Sequence, residues 1–135
     1  MKRIAMGLAA AAAVAGAAQA AGSNAALVAR GDYLVNRAVG CGDCHSPRDR
    51  TGHVPPGKAL TGAPLPFGPV APIPGWQPIA PPIRGLPPGF TEAQLARFME
   101  TGVRPNGSMP RPPMPAFRLD PGDARAVAAY LHSLR

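Results

Sequence analysis

Twelve of the 19 prolines in this chain of 135 residues fall between Pro55 and Pro88. No continuous helix can run through that stretch, because each proline lacks an amide donor and its ring collides with the preceding turn. It reads as one long, stiff loop, and regular structure is confined to its two flanks. A loop of 34 residues with no structure of its own inside a compact domain usually signals function. The length suits one small domain, and small domains bury too little surface to waste any of it. Yet only seven side chains are aromatic. A buried cofactor, wrapped by the loop, would account for both observations. The two cysteines stand three apart, where a bridge would close almost no loop, so they read as a site rather than a scaffold.

The chain opens with Met1, Lys2 and Arg3, followed by an apolar run from Ile4 to Ala18 and the small-x-small pattern Ala18-Gln19-Ala20. This predicts a secretory signal peptide over residues 1–20 and one domain over residues 21–135. The run is short of the roughly 20 residues a spanning helix needs, and no later stretch is long and apolar enough. The processed chain is therefore expected in a bacterial periplasm without stable membrane insertion. Cleavage removes Lys2 and Arg3 and leaves 12 basic against 7 acidic side chains. The arginines are scattered, with neither a basic run nor an aromatic platform, which argues against nucleic acid. An acidic protein suits the excess positive charge better.

Three helices are predicted. Leu27, Gly31, Leu34, Val35 and Ala38 recur at helical spacing and predict an amphipathic helix over Ala25 to Val39, ended by Gly40. Thr91 and Gln94 form a capping box, with Phe90 and Leu95 as its hydrophobic staple. It opens a helix from Glu92 to Thr101 that stops at Gly102, with Leu95, Phe98 and Met99 on one core-facing side. Asp120 as N-cap, Pro121 at the first position and Asp123 in the first turn begin a last helix reaching Leu134. Val127, Tyr130, Leu131 and Leu134 form its apolar stripe, with Arg125 and His132 towards water. No strand alternation is evident. A second proline cluster, Pro105 to Pro115, precedes this helix.

Cys41-Gly42-Asp43-Cys44-His45 has the C-x-x-C-H spacing of c-type haem attachment. Thiols at i and i+3 can add across the two vinyl groups of one porphyrin, and the adjacent imidazole can reach the iron as proximal ligand. A redox dithiol and half a zinc site share the C-x-x-C element. The first would sit near a β-α-β pattern that this sequence lacks. The second needs further ligands, of which only His53 is nearby.

Gly31-x-Tyr33-Leu34-Val35 before Cys41-Gly42-Asp43-Cys44-His45, then Pro112-Pro113-Met114-Pro115, and finally Ala128-Ala129-Tyr130-Leu131-His132-Ser133-Leu134 together resemble a class I monohaem cytochrome c. The resemblance covers essentially the whole processed chain. It implies an all-α fold, with three main helices and proline-rich loops around one covalently bound haem. Gly31 would allow the first and last helices to cross closely, against Tyr130 and Leu131. Leu60-Thr61-Gly62 resembles a family loop on the proximal side, whereas the rest of Pro55 to Pro88 departs from the smallest members. Met109 and Met114 both lie in the loop where the sixth iron ligand is expected. Met114 is preferred, because its proline-framed setting and its 16 residues to Tyr130 suit the family better than the 21 from Met109. Prolines on either side also lower the entropy cost of holding a weak ligand. His53 and His132 read as surface residues. The resemblance implies a proline carbonyl, of Pro55 or Pro56, on the second ring nitrogen of His45. Trp76 and Arg84 are candidate propionate donors, with loop packing as the alternative for both.

The expected function is single-electron transfer through a His/Met-ligated haem, with the haem held by Cys41, Cys44, His45 and Met114, its iron by His45 and Met114, and no catalytic group. A periplasmic dehydrogenase as donor and an oxidase or reductase as acceptor, each with an acidic docking surface, are the expected partners. One alternative is a subunit held permanently to a dehydrogenase, with the proline-rich loop as its docking surface. The other is a haem enzyme or gas-binding sensor with an open iron site.

Overall fold

The computed structural model describes residues 23–135. The expected signal peptide lies outside these residues. Helix α1 covers residues 23–33 and runs on without a break into a π-helical turn, Leu34–Ala38. Val39 N–H closes that turn on the Leu34 carbonyl at 2.8 Å, one residue further than an α-helical bond would reach. Past the left-handed Gly40, Cys41 N–H donates to Val35 O at 2.9 Å. A single turn, α2, Gly42–His45, follows immediately. The sequence reading missed α2 because four residues are too few to show helical periodicity. The described residues therefore hold four helices where three were expected.

Helix α3 is Glu92–Thr101 and α4 is Pro121–Ser133. At the start of α3 the Thr91 hydroxyl accepts from Gln94 N–H and the Gln94 side chain accepts from Thr91 N–H, so both ends of the capping box close. Loss of this cap in Thr91→Ala is expected to lower stability by about 1 kcal/mol. A denaturant midpoint at the parent's value would show that the box contributes nothing. Phe90 lies against the core, its ring centroid 5.6 Å from that of Phe98. In α4 Asp120 accepts from Gly122 N–H and Pro121 takes the first position, as expected.

The core lies where α3 packs along α4 and the end of α1 meets both. Leu34 and Val35 join Leu95, Phe98, Met99, Val127, Ala128 and Leu131 in one buried cluster. The α1–α4 crossing is fixed by Gly31, where a Cβ would stand 2.0 Å from the Ala126 carbonyl oxygen. Beside it Arg30 grips both carboxylate oxygens of Asp123 at 2.8 and 2.9 Å. The Asn36 amide donates to Tyr130 Oη at 2.7 Å. His132 does not simply face water: its Nδ1 meets the Glu92 carboxylate and ties α4 to the first turn of α3.

The proline-rich segment is also more organised than a single loop. Ala63–Pro64 (β1) and Ile79–Ala80 (β2) pair antiparallel, Ala63 opposite Ala80 and Pro64 opposite Ile79. Leu65 N–H adds a further bond to Pro78 O at 2.8 Å. Two paired residues per strand, each of them a proline or next to one, leave no alternation for a sequence reading to detect.

Candidate haem-attachment site

Cys41 caps α2, while Cys44 and His45 lie within it, so the three side chains stand on one turn. His45 is only 7% exposed. Its Nδ1 lies 2.8 Å from the Pro81 carbonyl oxygen. A carbonyl can only accept, so the bond places the imidazole proton on Nδ1 and leaves the lone pair on Nε2. Burial pushes the His45 pKa down against the opposing effect of that hydrogen bond, which favours the neutral ring a metal needs. Among the described residues nothing bonds Nε2, yet no buried side-chain nitrogen is left unpartnered. Nε2 therefore looks onto accessible space.

The expected partners of His45, Pro55 and Pro56, are replaced by Pro81. Pro-Pro pairs stand at 55–56, 81–82, 87–88 and 112–113, and nothing in the sequence chooses among them. Long-range backbone bonds make the choice. Gly62 N–H donates to the His45 carbonyl at 2.7 Å, and Leu60 N–H to Ser46 Oγ at 2.9 Å. The Leu60 carbonyl in turn accepts from both Ile83 and Arg84 amides at 3.0 Å, which draws the Pro81 segment over His45. Leu60 is 1% exposed and adopts φ 63°, a conformation a bulky residue holds only when its surroundings enforce it. Gly62 has no such penalty, and a Cβ there would meet Pro82 N at 2.8 Å. Ser46 had no signal of its own in the sequence, whereas Leu60 and Gly62 belong to the Leu60-Thr61-Gly62 stretch whose family resemblance placed it on this side of the site.

Cys41 and Cys44 are free thiols, both half-buried. Burial, reinforced by Cys44 and Asp43, pushes the Cys41 thiol up to about 11. Reactive dithiols work through a depressed pKa, so this environment opposes a thioredoxin-like use. The zinc alternative fares no better: among the described residues no group of three or more His, Cys, Asp or Glu could hold a metal ion. His53 is exposed and bonded to Thr51.

Met114 is half-buried against the core, whereas Met109 is 47% exposed. The Met114 loop is tied to the same hairpin as His45, because Gln77 N–H donates to Pro112 O at 2.8 Å, four residues before Pro81. The hairpin thus links the Met114 loop to the proximal side of His45. Met99 is core, as expected. Trp76 packs edge-on against Phe67 with ring centroids 6.0 Å apart, which favours its loop-packing alternative, and Arg84 is exposed.

Two thiols and a fixed neutral imidazole on one turn, with the open ring nitrogen facing space, form a donor set that fits a covalently held haem. A cytochrome c family model matches residues 28–135. A protein of Cereibacter sphaeroides named diheme cytochrome c-type is 32% identical over 114 residues, covering 76% of this chain and 33% of that protein. The chain spans about a third of the length of that curated relative. The chain belongs to the cytochrome c family, whose members bind haem c covalently and carry electrons.

Proposed function

We propose that the chain is a monohaem electron carrier of the bacterial periplasm, exported by residues 1–20 and folded as one domain over residues 21–135. The observation that carries this reading is the His45 imidazole, on the same helical turn as both cysteines and held through Nδ1 by Pro81. Two cysteines provide for one covalent haem, whatever the diheme relative carries. When bound, haem c supplies an iron that takes up and releases one electron. Cys41 and Cys44 would hold it by their sulfurs, and His45 Nε2 would bind its iron. The Pro81 carbonyl fixes the imidazole's tautomer and orientation and raises its strength as a donor. Met114 would hold the iron by its thioether: Pro112, Pro113 and Pro115 restrict its loop, and the side chain lies half-buried against the core. A thioether in that position raises the potential. Iron held by both His45 and Met114 would keep no open position for a substrate. The partners are redox proteins, a dehydrogenase as donor and an oxidase or reductase as acceptor.

Optical spectra of the purified holoprotein, ferric and ferrous, with and without carbon monoxide, test this reading. A sulfur-to-iron charge-transfer band and no carbon monoxide binding are expected. In Met114→Ala the band should vanish, carbon monoxide should bind and the potential should fall. Retention of the band in that variant would move the ligand to Met109, and carbon monoxide binding by the parent would favour an enzyme or sensor.

A further inference from the structure

Four of the seven large hydrophobic side chains exposed among the described residues, Phe67, Val70, Ile73 and Ile79, lie on the β1–β2 hairpin. Clustered exposed apolar surface on a small chain marks a contact site. This one is built to keep its shape. Six of the fifteen residues from 64 to 78 are proline, and Trp76 braces Phe67 from inside the hairpin. A surface that is already fixed loses little conformational freedom on docking.

The charges around the hairpin indicate what it meets. From Ala59 to Ile83 there is no charged side chain. At its borders stand exposed cations: Lys58 in the turn leading to β1, Arg84 after β2, and Arg111 beside Pro112, the residue bonded to Gln77. More widely, residues 50–91 and 101–119 carry six Lys or Arg and no Asp or Glu. The carboxylates that pair with Arg30, Arg97 and His132 all belong to α3 and α4. The hairpin base also joins Pro81, which holds His45, to the Met114 loop, so the hairpin springs from the site itself.

We propose that the 65–78 hairpin is the docking face for a redox protein whose own face is apolar at its centre and ringed by carboxylates. The proposal rests on the electron-carrier reading above. A second copy of the chain would set cations against cations, and a lipid surface would bring no redox group to the site.

The test compares the parent holoprotein with Val70→Ser/Ile73→Ser and with Lys58→Gln/Arg111→Gln, each first shown to keep the parent's haem spectrum. Each is reduced with ascorbate and then re-oxidised by the source cell's membrane and periplasmic fraction, over a range of salt. The serine pair should be at least tenfold slower at every salt concentration. The glutamine pair should be slower only at low salt and converge with the parent as screening removes the rim's contribution. Equal rates for the serine pair and the parent would overturn the proposal, as would a parent that the fraction leaves reduced. Co-sedimentation of the parent with phosphatidylglycerol vesicles, lost in the serine pair, would replace the partner with a membrane. A dimer in sedimentation velocity that the serine pair dissociates would replace it with a second copy. Ferricyanide needs no docking face and should oxidise all three proteins alike; a parent it cannot oxidise would overturn the electron-carrier reading itself.

Discussion

Gly31→Leu is expected to leave no folded holoprotein. A Cβ at this position would stand 2.0 Å from the Ala126 carbonyl oxygen and 2.5 Å from Tyr130 Cβ. Neither atom is the free end of a flexible side chain, so the clash can be relieved only by moving α1 away from α4. That movement withdraws Leu34 and Val35 from Val127 and Leu131, separates Arg30 from Asp123 and pulls Asn36 off Tyr130. Overpacking a core side chain costs about 1–3 kcal/mol, and a clash with backbone belongs at or beyond the top of that range. Against a total stability of about 5–15 kcal/mol, such a loss is enough to unfold a small domain or prevent its loading. Gly31→Ala should already lose about 2 kcal/mol, because the obstructing atom is the Cβ itself. Denaturant unfolding of the graded series checks this. An alanine variant with the parent's midpoint would mean the helices can separate freely, and the crossing would not be what holds the fold.

His45→Ala is expected to abolish the mature haem-bearing protein even though both cysteines remain. The substitution removes an almost fully buried ring and leaves the Pro81 carbonyl without its N–H donor. The lost hydrogen bond costs about 0.5–1.5 kcal/mol, and the cavity left by the ring adds to it. The larger effect is on the site. Under the proposed ligation the iron would lose its nitrogen ligand, and the Leu60 N–H bond to Ser46 Oγ and the Gly62 N–H bond to the His45 carbonyl no longer enclose a donor. Haem staining of denaturing gels and the absorbance of any purified product report the outcome. Recovery of covalent, low-spin haem with the parent's spectrum would overturn the assignment of His45.

The sequence disclosed most of what is local. The capping box at Thr91, the Asp120–Pro121 start of α4 and the close approach at Gly31 each depend on residues whose chemistry acts within a turn or at one contact. The Cys41-x-x-Cys44-His45 motif was legible because covalent haem attachment requires that spacing. What stayed hidden is set by long-range backbone bonds. Pro81 differs in no local respect from Pro55, and only the two bonds accepted by the Leu60 carbonyl distinguish it. Nor could helical periodicity assign His132 a partner, because Glu92 lies forty residues away on another helix. The hairpin itself offered nothing but prolines to read, and its pairing is two residues long.

Those same prolines give the hairpin another property. An exposed, uncharged loop is ordinarily the first place a chain is cut, since a protease must draw several consecutive residues into an extended, hydrogen-bonded strand. From Pro64 to Pro82 no more than three residues pass without a proline, each of which withholds the amide such an enzyme would engage. The stretch from Ala59 to Ile83 also lacks any Lys or Arg to admit a trypsin-like enzyme. The element that carries most of the large exposed apolar side chains among the described residues is thus also a poor protease substrate.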